Sequence, residues 1–221
     1  MKPTIVISAY KAHQYILPMW KSFAKQDVNM VIGVDGCRDT LRAATHIAKN
    51  NFSLLWFPEN SGPYIVYNTI MFEYLKDNPY CVFFGADDIA LPCLAEQHKK
   101  HMTQYDIVTQ KPTNHPSPAK GAFGIWREKL VDIGGFLPWR CNADEEFTNR
   151  ARRNKFSFIN LPVPTFTWRR HKNQLTKSKA TKMGSDLRNA YKKEMNTTYA
   201  KTMRIEPTTT NYTVIHERLG D

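Results

Sequence analysis

Four short runs rich in β-branched and aromatic residues punctuate the first hundred residues: Thr4 to Ser8, Met30 to Val34, Ser53 to Phe57 and Tyr80 to Phe84. Each has the length and composition of a strand and is followed by a turn signal or a polar residue. In the intervals, apolar residues recur every three or four positions, the spacing of amphipathic helices: Ile16, Trp20, Phe23; Leu41, Ala44, Ala48; Ile70, Met71, Tyr74, Leu75. The βαβαβαβ order predicts an α/β fold in which a mostly parallel sheet is covered by helices on both faces, joined by right-handed crossovers. Such sheets bind ligands beyond the carboxyl ends of their strands. Those ends are Ala9-Tyr10-Lys11, Asp35-Gly36-Cys37-Arg38-Asp39, Pro58-Glu59-Asn60-Ser61-Gly62 and Gly85-Ala86-Asp87-Asp88, so three consecutive ends put carboxylates on one rim.

Beyond this block, Pro112 to Pro118 (PTNHPSP) reads as a surface loop and Ala122 to Trp126 as a strand. Arg127 to Ile133 reads as a short helix stopped by Gly134-Gly135, Asp144 to Arg153 as another helix, and Phe156 to Asn160 as a further strand. From Ser185 onward, Leu187, Tyr191, Met195, Tyr199 and Met203 recur every four residues, which predicts one long helix whose other face is Lys- and Arg-rich. The length of 221 residues suits one compact domain, with residues 177–221 a basic helical extension packed on the domain formed by 1–176.

Net charge is +11, and it is unevenly placed. Between Arg150 and Arg204 stand 15 Lys or Arg against two acids, Asp186 and Glu194, so this stretch alone carries +13. Such a block faces a polyanion, either nucleic acid or an anionic membrane surface, unless it is merely a solvated face. No apolar run approaches the roughly 20 residues that a membrane-spanning helix needs, and no signal-peptide pattern opens the chain, so a soluble cytoplasmic protein is expected. Cys37, Cys81, Cys93 and Cys141 lack paired spacing and read as reduced thiols.

No GxGxxG follows the first strand and no GxxxxGK[ST] occurs anywhere, which removes the usual glycine-rich phosphate cradles. A carboxylate rim can instead hold a nucleoside diphosphate through a divalent cation bridging carboxylate and phosphate oxygens. Asp87 and Asp88, directly after an apolar strand, suit that task, although Asp-Asp is also a common helix cap or turn.

The motifs taken in order resemble the family-2 inverting glycosyltransferases, which have the Rossmann-like A-type nucleotide-sugar transferase fold. The family's "VDDGSTDGT" is matched by Val34 to Thr40, its "N.G...AxN" by Asn60, Gly62 and Asn68, and its "FLDADDxLxP" by Phe83 to Pro92. Its "R...L..IGGF" is present as Arg127, Leu130, Ile133, Gly134, Gly135 and Phe136. The "EDxDLxxR" helix appears as Ala143 to Arg150 and the "RxHxxS" tail as Arg169 to Gln174. The resemblance covers residues 4 to 176. It implies Asp144 as the catalytic base that takes the acceptor proton. It also implies Mn²⁺ or Mg²⁺ held by Asp87, Asp88 and His171, and a nucleotide-sugar site of Ala9, Tyr10, Asp35, Asp39, Asn60, Gly62, Asn68, Ala86, Arg127, Glu145 and Arg169. Two departures stand out. Gly85 replaces the first acid of the DxD motif, and Ala143 the first acid of the ED pair.

For the acceptor, Glu59 to Tyr64 (ENSGPY) and Pro138 to Asp144 (PWRCNAD) resemble the small bacteriophage glycosyltransferases that decorate hydroxymethylated pyrimidines in viral DNA. On that reading the donor is a UDP-sugar, the location is the host cytoplasm, and DNA is held by Arg140, Arg152, Arg153, Arg170, Lys172, Lys177, Lys179 and Lys182, its target nucleotide extruded into the pocket. Two alternatives remain. One is a cell-surface glycan or lipid-linked saccharide transferase whose C-terminal helix lies on an anionic membrane with Met183, Met195, Tyr199 and Met203 inserted. The other is an inactive, basic nucleic-acid-binding protein, prompted by Gly85 and Ala143.

Overall fold

The structure is a computed structural model in which residues 1–77, 79–119, 121–172 and 174–218 are described. Its first half follows the expected alternation: β1 (Thr4–Ala9), α1 (Ile16–Phe23), β2 (Asn29–Asp35), α2 (Arg38–Ala48), β3 (Ser53–Phe57), α3 (Pro63–Thr69) and β4 (Tyr80–Phe83). α3 runs on as a π-helical turn, Ile70–Tyr74. Then come β5 (Ile89–Ala90), α4 (Leu94–His101), β6 (Ile107–Thr109), β7 (Phe123–Trp126), α5 (Arg127–Asp132), α6 (Ala143–Arg153), β8 (Phe158–Asn160), β9 (Phe166–Thr167), α7 (Asp186–Thr197) and β10 (Thr213–His216).

Eight strands form one sheet in the order β10-β3-β2-β1-β4-β7-β6-β8. β1 pairs in parallel with β2 and β4, and β2 with β3, so the carboxyl ends of β1 to β4 share one rim. β7 runs antiparallel to β4 with Tyr80 opposite Trp126. The start of β7, and the loop leading into it, therefore lie at the acidic rim, while its end lies at the opposite one. Strand residues alternate between two buried layers, as burial on both faces requires. Ile5, Ile7, Ile32 and Val34 meet Ile16, Met19 and Phe23 of α1 and Ala44 of α2, whereas Val6, Val31, Leu55 and Phe83 meet Val66, Ile70 and Phe147 from α3, its π-helical turn and α6.

Two features set the geometry of the rim. The two-stranded sheet of β5 and β9, with Ile89 opposite Thr167, brings residues 166–171 against the turn that follows β4. At the far end of the chain, β10 adds to β3 in antiparallel fashion and forms an edge of the main sheet.

The C-terminal helix is shorter than its periodicity predicts. α7 ends at Thr197, so Met203 lies beyond it and is exposed. Tyr191, Met195 and Tyr199 face inward: Trp139 stacks on Tyr191 at 4.6 Å and meets Tyr199 edge-on at 5.7 Å, and Met195 is buried in the same layer as Phe147. Tyr191, Met195 and Tyr199 are thus taken up by internal packing, while Met183 and Met203 stay exposed.

Candidate active site

The turn after β4 is built around a close approach. Asp88 is 7% exposed, and its Oδ1 accepts the backbone N–H of Arg169 at 3.1 Å. A Cβ placed on Gly85 would stand 2.6 Å from Asp88 Oδ2 and 3.1 Å from Asp87 Oδ1. The Asp88 carboxyl therefore fills the space of the missing side chain at position 85. Burial, with the adjacent Asp87 charge, pushes its pKa up to about 8.

Asp87 remains half-exposed, and its Oδ2 lies 2.8 Å from His171 Nε2. The His171 ring packs on Tyr15 at 4.5 Å, and the Arg169 guanidinium lies over the same Tyr15 ring at 4.9 Å. Arg169 also donates to the carbonyls of Asp87 and Tyr15. Asn173 of the same tail lies outside the described residues.

Of the expected metal set, Asp87 and His171 are in contact, whereas Asp88 turns inward to the Arg169 backbone. Among the described residues no three His, Cys, Asp or Glu side chains are grouped to hold an ion. Asp87 and His171 offer a carboxylate oxygen and an imidazole nitrogen of the kind that would hold a Mn²⁺ or Mg²⁺.

Across the rim stands Asp144, in the first turn of α6, where the helix dipole favours a negative charge. Its Oδ1 accepts the Tyr64 hydroxyl at 2.8 Å. Burial raises the Asp144 pKa, opposed by the Tyr64 hydrogen bond and by backbone N–H groups of the helix start. Tyr67, one turn along α3, has its phenol pushed far up by burial, and the charges of Asp87, Asp144 and Asp88 add to the effect. Acids from distant parts of the chain thus act on one hydroxyl. The residues at the start of β7 complete the surround: a Cβ on Gly121 would lie 3.1 Å from Asp144 Oδ2.

The remaining expected donor residues divide. Ala9, Ala86, exposed Tyr10, exposed Asp39 and half-buried Glu145 all lie at the rim or at the start of α6. Asp35 is 1% exposed, and its two oxygens accept the N–H groups of Ser61 (2.7 Å) and Gly62 (2.9 Å). It therefore shapes the loop after β3 instead of meeting a ligand itself. Arg140, expected at the acceptor, lies over that loop and donates to the Asn60 side chain and, at 2.8 Å, to the Asn60 carbonyl.

Two of the expected donor residues are engaged elsewhere in the fold. Asn68 is fully buried: its Nδ2 donates to Phe136 O at 2.8 Å and its Oδ1 accepts Phe136 N–H at 2.8 Å, so it joins α3 to the segment after Gly135. Arg127 follows the far end of β7, on the rim opposite Asp87, where its Nε donates to Met71 O at 2.6 Å.

The basic block also sorts itself. Arg150 is fully buried against Glu146 (2.7 Å) and donates to the carbonyls of Ile133 and Gly135. Arg153 donates to Thr202 O (2.8 Å), and Arg188 to Thr181 O (2.6 Å). Arg152 lies over the Phe158 ring at 4.9 Å. Arg152 and Arg153 sit at the far end of the eleven-residue α6, about 12 to 14 Å along the axis from Asp144 at 1.5 Å per residue, which separates them from the rim. Arg170, Lys172, Lys177, Lys179 and Lys182, by contrast, are exposed, and they flank or follow His171 in the chain.

Sequence reasoning did not single out Tyr64, Tyr67 or Gly121. Two tyrosines three apart at the start of a helix share a face, and that spacing was the available signal.

The sequence model of the family described as "Glycosyl transferase family 2" matches residues 4–173. No curated protein matches the chain. Among solved structures, the chain is similar to S. aureus TarS 1-349 at 19% identity and a TM-score of 0.61, covering 76% of this chain and 60% of that one. It is also similar to the mannosyltransferase PcManGT from Pyrobaculum calidifontis in complex with GDP-Man and Mn²⁺, at 17% identity and a TM-score of 0.63, covering 78% and 59%. The chain thus spans about three fifths of each. These likenesses establish the fold as the A-type glycosyltransferase fold, a mostly parallel sheet with helices on both faces.

Proposed function

The chain belongs to glycosyltransferase family 2, and on that premise we propose that it moves a sugar from a nucleoside-diphosphate donor, a UDP-sugar, to a hydroxyl of a hydroxymethylated pyrimidine in DNA, with inversion at the anomeric carbon. The observation that carries the catalytic part is that Asp144 is held at 2.8 Å by Tyr64, on the same helix as Tyr67, whose phenol is pushed up by burial and also by the charges of both Asp87 and Asp144. One acid stands at the phosphate end of the donor and the other at the incoming alcohol. Asp144 accepts the acceptor proton as that oxygen attacks the anomeric carbon. Asp87 and His171 would hold a divalent cation, which when bound supplies positive charge against the departing diphosphate. Tyr10, with its exposed ring on the rim, suits contact with the nucleobase, and the loop held by Asp35 suits contact with the nucleoside.

For the acceptor, the exposed cations Arg170 and Lys172 on either side of His171, with Lys177, Lys179 and Lys182 further along, support phosphate contacts that do not depend on sequence. Among the described residues no helix is long and apolar enough to cross a membrane. The test is incubation with a panel of nucleotide sugars, Mn²⁺ and DNA containing 5-hydroxymethylcytosine or 5-hydroxymethyluracil, read by nucleoside mass spectrometry. A gain of sugar mass on the modified base is expected. Transfer to a lipid-linked or oligosaccharide acceptor alone would overturn the DNA assignment.

A further inference from the structure

We propose that Tyr64 is a positioning residue that engages Oδ1 of Asp144 and so leaves Oδ2 as the oxygen that receives the acceptor proton, with Gly121 kept bare to let the acceptor hydroxyl reach it. The inference rests on the reading of Asp144 as the base and goes beyond it by assigning the two carboxylate oxygens and the direction of approach.

Three observations support it. The Tyr64 hydroxyl lies 2.8 Å from Oδ1, and a phenol has only one proton to donate, so this bond fixes the rotation of the carboxylate. The Tyr64 ring is itself held, at 5.4 Å from Phe136 and 6.4 Å from Tyr67 between ring centroids, which makes the hydroxyl a fixed donor. Oδ2, not Oδ1, is the atom nearest to position 121, where a Cβ would stand 3.1 Å away. Any side chain at position 121 would have to stand against Oδ2, so this close approach constrains that position.

In the reaction, an oxygen lone pair of the acceptor hydroxyl forms the bond to the anomeric carbon while the bond from that carbon to the diphosphate oxygen breaks. The electron pair of the broken bond leaves with the diphosphate, and the hydroxyl proton passes to Oδ2. A carboxylate already hydrogen-bonded at Oδ1 is a weaker base than one left bare in the same buried place, but it is a correctly aimed one. The titratable groups around it are Tyr64 and Tyr67 from α3, Glu145 from its own helix and Cys141 from the segment before it. Arg188 of α7 reaches the neighbouring Asn142. Burial holds the two phenols and the thiol protonated.

The experiment is a titration of the Asp144 carboxyl by carbon-13 NMR of protein labelled at aspartate Cγ, in the metal-free full chain, with the resonance assigned by its loss in Asp144→Asn. Tyr64→Phe keeps the ring and removes only the hydroxyl, so the Asp144 midpoint should move up. Gly121→Ala puts a methyl against Oδ2 and strips water from it, so the midpoint should move up there as well. A midpoint unchanged or lowered in Tyr64→Phe overturns the positioning role, and one unchanged in Gly121→Ala overturns the assignment of Oδ2. In the transfer reaction, Tyr64→Phe should lower kcat about tenfold and shift the acid limb of the pH profile upward, with the donor KM unchanged. If Asp144→Asn transfers sugar at the wild-type rate, the reading of Asp144 as the base fails, while the titration still decides what Tyr64 does to the carboxyl.

Discussion

Asp87 and His171 meet at 2.8 Å, oxygen to imidazole nitrogen, across 84 positions of sequence. The pairing of β5 with β9 makes the contact possible, since it lays the segment before His171 along the turn that carries Asp87. Asp87→Asn and His171→Ala should each weaken Mn²⁺-dependent UDP binding by at least about tenfold, with metal-independent binding little changed. Calorimetric titration of UDP with and without Mn²⁺ measures this, and equal losses in both conditions would contradict the assignment.

Asp144→Asn removes the proton acceptor but keeps the side-chain shape and the Tyr64 contact. Transfer should fall by about 10²–10⁴-fold, with UDP affinity unchanged. A parallel loss of UDP binding would move Asp144 from acceptor chemistry to donor binding.

Restoring the family's first DxD acid should fail in this chain. Gly85→Asp forces a carboxylate into space held by Asp88, which should cost about 1–3 kcal/mol of stability and bring no gain in Mn²⁺ affinity. Urea denaturation checks the first part, and adding Asp88→Gly to the variant should recover stability. A Gly85→Asp protein as stable as wild type would show that Asp88 can leave without penalty.

His98 is fully buried with its Nδ1 3.1 Å from the Tyr80 hydroxyl, and burial pushes its pKa down to about 3 from an ordinary 6.5. Between those values the unfolded chain binds a proton that the folded protein refuses. Its contribution is therefore fully present above pH 6.5 and is lost progressively as pH falls toward 3. Urea denaturation at stepped pH should show wild type losing up to about 1.4 kcal/mol per pH unit from this group, a slope that His98→Gln lacks.

Changing Lys177, Lys179 and Lys182 together to Gln should lower DNA affinity and reduce the slope of log affinity against log salt by roughly two to three. Fluorescence anisotropy across a salt series measures it. An unchanged slope would remove these lysines from the DNA path.

Much of the frame was legible in the sequence because β1 to β4 are mostly apolar and the helices between them periodic, a pattern with few alternatives. What escaped was too short to have a period: β5 and β9 have two residues each, and β6 has three. β10 escaped for another reason, since its exposed Val214 and Ile215 lack the alternation that marks a half-buried strand. At the site, the motif positions of Asp87, Asp144 and His171 were visible. Motif spacing could not separate residues that touch a ligand from those that hold the frame, and Asp35, Asn68 and Arg150 turned out to hold it. The lengths of charged side chains misled in the same way: the basic block reads as one surface in sequence, yet several of its arginines point inward to carbonyl groups while its lysines stay in water.

The grip of Asp35 on the Ser61 and Gly62 amides fixes the course of that loop through main-chain groups that every amino acid except proline possesses. The side chain at Ser61 can therefore be exchanged without rerouting the polypeptide, whereas that of Asn60 also holds Arg140. A loop transplanted from another protein would need an acid beneath it to follow the same course.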